Sequence, residues 1–337
     1  MRRILLASAS LALGGLLVLF LMRLGRVDIH SVVQQLRNVS VTVLTKLALL
    51  NIALIFLSTE KWRRVDAAVR RSSDSVPSRA AAFGLTSAGM ALGLVFPVQL
   101  GMATARTLGT YFYGRPLERG TAGTLFEQSF DLLIVCFLAV ASSVTWLFHR
   151  GAGTWAACAV AMIAIALLSV GPAMRVIRRI ATFAADKLGP SSHIGSGLKN
   201  MSDLEESGLL SSTLARRLVI LSALRFGIVV LMARETALAI GAPISLWQMA
   251  AMVPFVVVTN VLAITPGGIG VNELTAVTAL KTFGVPTATA AEWSLANRVL
   301  IMASSFLVGS LALAGVAIMR LKGAVTKHER REMDVTK

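Results

Sequence analysis

Residues 4–22, 132–148 and 302–319 of this chain contain no charged side chain. Each is close to the roughly 20 residues that carry a helix across the hydrocarbon layer of a bilayer. In hydrocarbon every backbone amide and carbonyl must be paired inside the protein, which a helix achieves within one segment. The chain is therefore read as an all-α, polytopic membrane helical bundle. Composition supports this, since 55% of the 337 residues are hydrophobic and 15% are charged, against about a quarter charged in an average soluble domain.

The apolar segments place spans at about 4–22, 40–58, 81–96, 100–114, 121–148, 152–171, 214–240, 245–264, 270–284 and 289–319. The first follows Arg2 and Arg3 but is followed by no small-x-small site after Met22, so it is expected to stay as an anchor rather than leave as a signal peptide. Cys136 and Cys158 both fall within spans and act there as small apolar residues.

A net charge of +16 raises the question of nucleic acid, and the positions of the charges answer it. They are not interleaved with stacking aromatics as single-strand binding requires. They alternate between loops: with the N-terminus inside, 23 cationic residues fall on inside segments and five, Arg23, Arg26, Arg37, Arg150 and Lys281, fall outside. The positive-inside rule then puts both termini in the cytoplasm of an inner-membrane protein. A linker at 172–213 and a tail at 321–337 are basic and cytoplasmic, suited to the anionic inner leaflet. Within the linker, RVIRRIATFAADKL reads as an interfacial helix or as a solvated basic segment.

Two short spans follow related motifs, Pro97-Val98-Gln99-Leu100-Gly101 and Pro266-Gly267-Gly268-Ile269-Gly270. A second proline comes after each, at Pro116 and Pro286, and a long span follows. This is an internal repeat, with a first half at about 40–148 and a second at about 214–319. Three full spans separate the copies, an odd number, so the halves are inverted with broken or re-entrant half-helices at Pro97 and Pro266. Such repeats recur in secondary transporters, with the substrate near the breaks. Proline removes a donor and glycine frees the backbone. The polar groups so released need protein or a wet cavity around them. The half-helix after Gly270 would then point its amides at an anion such as phosphate. A kinked packing helix is the other reading of the same residues.

Charged residues inside spans are costly and mark function or structural ion pairs. Glu127 and Asp131 are four apart, on one helical face. Arg106 lies in the first short helix, Glu273 in the second, Arg225 in the span after the linker, and Glu292 and Arg298 early in the last span. Lys46 is expected to snorkel. His30, His149, His193 and His328 never pair at metal-ligand spacing, and GGIG lacks the Lys-Ser/Thr of a phosphate loop. No metal, cofactor or catalytic residue is assigned, and with no ATP motif transport is expected to be downhill or ion-coupled.

TLFEQSFDLL in the first half and ITPGGIGVNE in the second, on a basic multispanning chain, resemble the lysylphosphatidylglycerol synthase transmembrane family, a flippase-like membrane domain, over about residues 10–320. Pro97, Gly101, Arg106, Glu127 and Asp131 match its first-half signature, and Pro266, Gly267, Gly268, Gly270 and Glu273 its second. Met102 and Gln128 stand where members commonly carry an acid and an arginine, so a different headgroup is implied. The longest hydrophilic stretch is too short for an aminoacyl-transfer domain.

The resemblance implies a domain at 1–320 that translocates or binds a phospholipid or polyprenyl-type lipid with a polar or anionic headgroup. Headgroup contacts are expected from Arg106, Glu127, Asp131, Gly267, Gly268, Gly270, Asn272, Glu273 and Arg298, with Arg106 and Arg298 as countercharges to a phosphate. The alternatives are an integral membrane glycosyltransferase with a polyprenyl-phosphate donor, or an accessory subunit of a lipid-modifying enzyme.

Overall fold

The computed structural model describes residues 2–25, 28–69, 77–93, 98–111, 117–188, 211–262 and 265–335. Among these residues eleven α-helices and one 3₁₀ turn occur and no strand. They are α1 (Arg2–Gly25), α2 (Ile29–Arg37), α3 (Val41–Val69), α4 (Arg79–Leu92), α5 (Val98–Tyr111), α6 (Leu117–Leu147), α7 (Ala152–Leu188), α8 (Ser212–Ala239), α9 (Leu246–Leu262), α10 (Val271–Thr282) and α11 (Thr287–Val335), with the turn at Pro266–Gly268. Four helices contain stretches long and apolar enough to cross a membrane, at Val41–Ala68, Gly123–Leu147, Ala152–Val176 and Thr287–Gly315. The chain is a multi-pass membrane protein.

The two repeat copies form helical hairpins. In the first, a Cβ on Gly101 would lie 2.5 Å from the Gly93 amide, and one on Gly89 would lie 2.9 Å from Met102 Cα. These contacts run in opposite senses along α4 and α5, which are therefore antiparallel and packed backbone to backbone. Pro97 itself lies outside the described residues, in the connection between the arms. In the second hairpin Asn260 meets Asn272 near the tip and Gln248 reaches the Phe283 carbonyl at 2.8 Å at the other end. The arms contain 14, 14, 17 and 12 residues, so at 1.5 Å per residue they extend about 18–26 Å. Among the described residues these arms fall short of the roughly 30 Å hydrocarbon core, as broken half-helices do.

The halves are inverted. Along α3 and α8, Lys46 pairs with Glu235 at 3.4 Å near one end, and Ser58 accepts from Arg225 at 3.1 Å nearer the other. The first helices of the two halves thus run antiparallel. Exchanging α3–α6 with α8–α11 also maps the principal packing pairs onto one another: α6 packs on α9 as α11 packs on α4, and α3 packs on α11 as α8 packs on α6. Helices α1, α2 and α7 have no counterpart in this exchange.

Three boundaries differ from the sequence expectation. Helix α3 continues to Val69, because no glycine or proline follows its apolar run until Pro77, and this turns Lys61 from a loop cation into a buried helical one. Helix α7 passes through Pro172 to Leu188, so the first part of the linker continues a span. Helix α11 also runs on as one helix to Val335, without a break between the expected span at 289–319 and the basic tail. The remainder of the linker, 189–210, lies outside the described residues.

Candidate functional site

The opening of the second hairpin is built by its glycines. Gly267, Gly268 and Gly270 have φ of 55°, 68° and 81°, a left-handed region that side chains rarely adopt. The Gly268 amide closes the turn on the Thr265 carbonyl at 2.9 Å. The turn is also crowded: a Cβ on Gly270 would lie 2.5 Å from Leu17 Cβ and 2.7 Å from the Gly14 carbonyl oxygen of α1. Helix α1 therefore seals one side of the tip.

Several of the polar groups freed by this turn have protein partners. Arg298 on α11 donates from Nη2 to the Gly267 carbonyl at 2.9 Å and from Nη1 to Glu273 Oε1 at 2.8 Å. Glu273 uses its other oxygen to accept from the Gly270 amide at 2.6 Å, the backward reach of a capping carboxylate in the first turn of α10. Asn272 donates to Asn260 at 3.1 Å and to the Gly267 carbonyl at 3.5 Å.

These residues form one wall of a cavity of about 260 Å³. Asn260, Gly267, Asn272, Glu273, Ser294, Asn297 and Arg298 supply its polar part, and Leu54, Val229, Met232, Met252 and Trp293 are among its apolar lining. Gly93, the residue that ends α4, also lines it. The cavity is thus bounded both by the end of the first hairpin's leading arm and by the tip of the second hairpin.

The remaining expected residues sit elsewhere. Arg106 on α5 and Glu127 on α6 are buried and joined at 2.6 Å. Arg106 also donates to the Ser58 carbonyl at 3.0 Å and to Thr86 at 3.4 Å, and lies 5.4 Å from the ring centre of Trp62. Lys61 pairs with Glu127 at 3.0 Å and with Asp131. Arg225 pairs with Asp131 at 2.9 Å. Three cations therefore enclose two carboxylates, and Lys61 and Arg106 are both 0% exposed.

Arg106, Glu127 and Asp131 are thus brought together, and Gly267, Gly268, Gly270, Asn272, Glu273 and Arg298 are brought together, in two separate groups. Arg106 does not line the cavity with Arg298; its guanidinium is committed to Glu127, Ser58 and Thr86. The two groups are linked through α3 and α8, where Leu54 and Val229 line the cavity and Ser58 and Arg225 stand four residues further along the same faces. Sequence reasoning missed Lys61, Asn260, Ser294 and Asn297 as members of these groups and named Arg225 only as a charge within a span. Asn297 lay one residue from Arg298 and Asn260 six before Pro266. Both were legible as amides in apolar surroundings.

The family model described as lysylphosphatidylglycerol synthase TM region matches residues 7–323. No curated protein and no solved structure matches the chain. The chain belongs to that family, and its role is a membrane lipid-related one.

Proposed function

We propose that the chain is a lipid translocase, which takes the headgroup of a phospholipid or polyprenyl-type lipid into the cavity between the hairpins and leaves the acyl chains in the bilayer. The observation that carries this reading is the cavity itself: Gly93 bounds it from one inverted half and Gly267, Asn272 and Glu273 from the other, with both polar and apolar side chains in its lining. Irregular backbone facing such a space at the meeting of inverted repeats is the arrangement by which secondary transporters hold a substrate between alternating states. The protein works in the inner membrane with both termini cytoplasmic and its basic segments against the anionic leaflet, as the loop charges favour.

The glycosyltransferase alternative needs a free carboxylate as base. Glu127 lies between Lys61 and Arg106, and Asp131 between Lys61 and Arg225, so neither is free for that role. This favours transport over sugar transfer.

The test is headgroup translocation in vesicles reconstituted with the purified chain and a fluorescent-lipid quench readout. Glu273→Gln and Arg298→Gln should abolish translocation while thermal unfolding shows the fold retained. Asn297→Leu, which removes another polar group of the cavity lining, should slow it. Translocation at the wild-type rate in all three folded variants would remove the cavity from the mechanism.

A further inference from the structure

The cavity wall carries more information about its ligand than its position does. Among the described residues that line it only Glu273 and Arg298 are charged, and they are paired with each other. The wall is therefore electrically neutral. The surplus positive charge of the buried groups lies with Lys61, Arg106 and Arg225, and none of these three lines the cavity. A net anion entering the cavity would meet no surplus charge, and an uncompensated ion in a low-dielectric interior is strongly disfavoured.

The hydrogen-bonding inventory gives the same answer. Two of the groups that could draw in a phosphate already have partners: Arg298 donates to Glu273 and the Gly267 carbonyl, and the Gly270 amide is closed by Glu273. Asn272 shows the opposite need. Its Nδ2 faces Asn260 Oδ1 and the Gly267 carbonyl, and the carbonyl, which cannot turn over as the Asn260 amide can, is the group that holds the amide in this orientation. Its Oδ1 is then buried without a partner, and so is Thr265 Oγ1 at the start of the same turn. A lone acceptor of this kind needs a donor. An ionised phosphodiester has none to give, whereas a hydroxyl or an ammonium does. Asn297 complements this, since its Oδ1 accepts from Thr236 at 2.8 Å and its Nδ2 remains for an acceptor on the ligand. A volume of about 260 Å³ lies just under the roughly 300–1,000 Å³ of pockets that enclose whole drug-sized ligands, so it has room for a headgroup and not for chains.

Resting on the translocase reading, we propose that the cavity selects a lipid headgroup with no net charge that brings its own hydrogen-bond donors, hydroxyl or ammonium, and discriminates against anionic headgroups without donors. The Asn272 amide oxygen receives the donor, and the paired Glu273 and Arg298 balance the polar groups around it.

The experiment measures equilibrium binding of four lipids to the full chain in detergent by native mass spectrometry: phosphatidylethanolamine, a monohexosyl diacylglycerol, phosphatidylcholine and phosphatidylmethanol. The first two are uncharged overall and carry donors; phosphatidylcholine is uncharged overall without N–H donors; phosphatidylmethanol is an anionic phosphodiester without donors. The donor-bearing lipids should bind at least about tenfold tighter than the other two, a difference of about 1.4 kcal/mol. Comparison between them identifies which donor, ammonium or hydroxyl, is preferred. In Asn272→Leu the advantage should fall to less than about threefold while the lipid-free protein still unfolds cooperatively, since the loss of the bond to Asn260 is partly offset by removal of a buried acceptor without a partner. Phosphatidylmethanol binding as tightly as phosphatidylethanolamine would overturn the proposal. The vesicle assay separates the two ideas: lipids moved without this selectivity defeat the proposal alone, whereas no lipid bound and none moved defeats the translocase reading with it.

Discussion

Removing one charge from the buried group around Lys61 should have very different costs depending on its sign. Glu127 is 2% exposed and stands between Lys61 at 3.0 Å and Arg106 at 2.6 Å. Glu127→Gln leaves three cations around the single carboxylate of Asp131. Lys61→Met leaves two arginines and two carboxylates, each arginine still paired, Arg106 with Glu127 and Arg225 with Asp131. A unit-charge contact at about 4 Å contributes about 4 kcal/mol at an effective dielectric constant near 20. Breaking a buried pair by removing one partner costs about 3–5 kcal/mol, whereas replacing a buried ion by an apolar group of similar shape is often close to neutral when no partner is left stranded. Glu127→Gln should therefore destabilise by about 3–5 kcal/mol and Lys61→Met by less than about 1 kcal/mol. Combining the two should recover about 1–3 kcal/mol of the Glu127→Gln loss, since residues in one charge network couple by such amounts. Equilibrium unfolding in mixed dodecyl sulfate and maltoside micelles, followed by tryptophan fluorescence, measures all three. Equal costs for the two single variants, or a greater cost for Lys61→Met, would refute the reasoning that the group has one cation in excess.

The backbone arrangement makes further demands. Gly270→Ala combines a left-handed φ of 81° with contact at 2.5 Å from Leu17 Cβ, whereas Gly284→Ala has a φ of 85° and open space; Gly270→Ala should unfold with about 1–3 kcal/mol less stability than Gly284→Ala, measured in the same micelles. Gly101→Val should open the first hairpin, because its Cβ would lie 2.5 Å from the Gly93 amide, and cysteine accessibility at Gly93→Cys should rise in that background. For the inverted halves, Lys46→Cys with Glu235→Cys should be joined by a short bis-maleimide, because the native side chains meet at 3.4 Å. Lys46→Cys with Arg217→Cys should not be joined, since about 27 Å of helix separates Arg217 from Glu235, and the reverse outcome would mean that α3 and α8 run parallel.

What the sequence made legible was mostly local. The Pro266 to Gly270 run can be recognised because consecutive glycines beside a proline have few uses inside an apolar segment, and the structure places three of those glycines at positive φ. The i,i+4 spacing of Glu127 and Asp131 put them on one face, which follows from helical geometry alone. The grouping of charges was not legible, because Asp131 meets Lys61 and Arg225 across 70 and 94 residues of chain, and nothing in the spacing of a single helix says which face of another it will meet. Lys61 was misplaced for a related reason: with Glu60, Arg63 and Arg64 beside it, it resembles the polar end of a span. A polar helix end and a buried charge supported from neighbouring helices have the same local sequence.

The halves that match in backbone are opposite in charge. In the first half the short helix α5 supplies the cation, Arg106, and the long helix α6 the carboxylate, Glu127; in the second the short helix α10 supplies the carboxylate, Glu273, and the long helix α11 the cation, Arg298. Exchange of the halves therefore preserves the packing and reverses the polarity of each pair. Only the second pair faces the cavity, and it is balanced, whereas the first is enclosed and carries the extra cations Lys61 and Arg225. On the translocase reading, a carrier of two equivalent inverted halves would offer a headgroup the same surroundings from either side. This one offers a neutral wall of amides and an ion pair from the second half, while the net positive cluster of the first stays enclosed behind it, so the two halves do not present a headgroup with equivalent surroundings even before any coupling ion is considered.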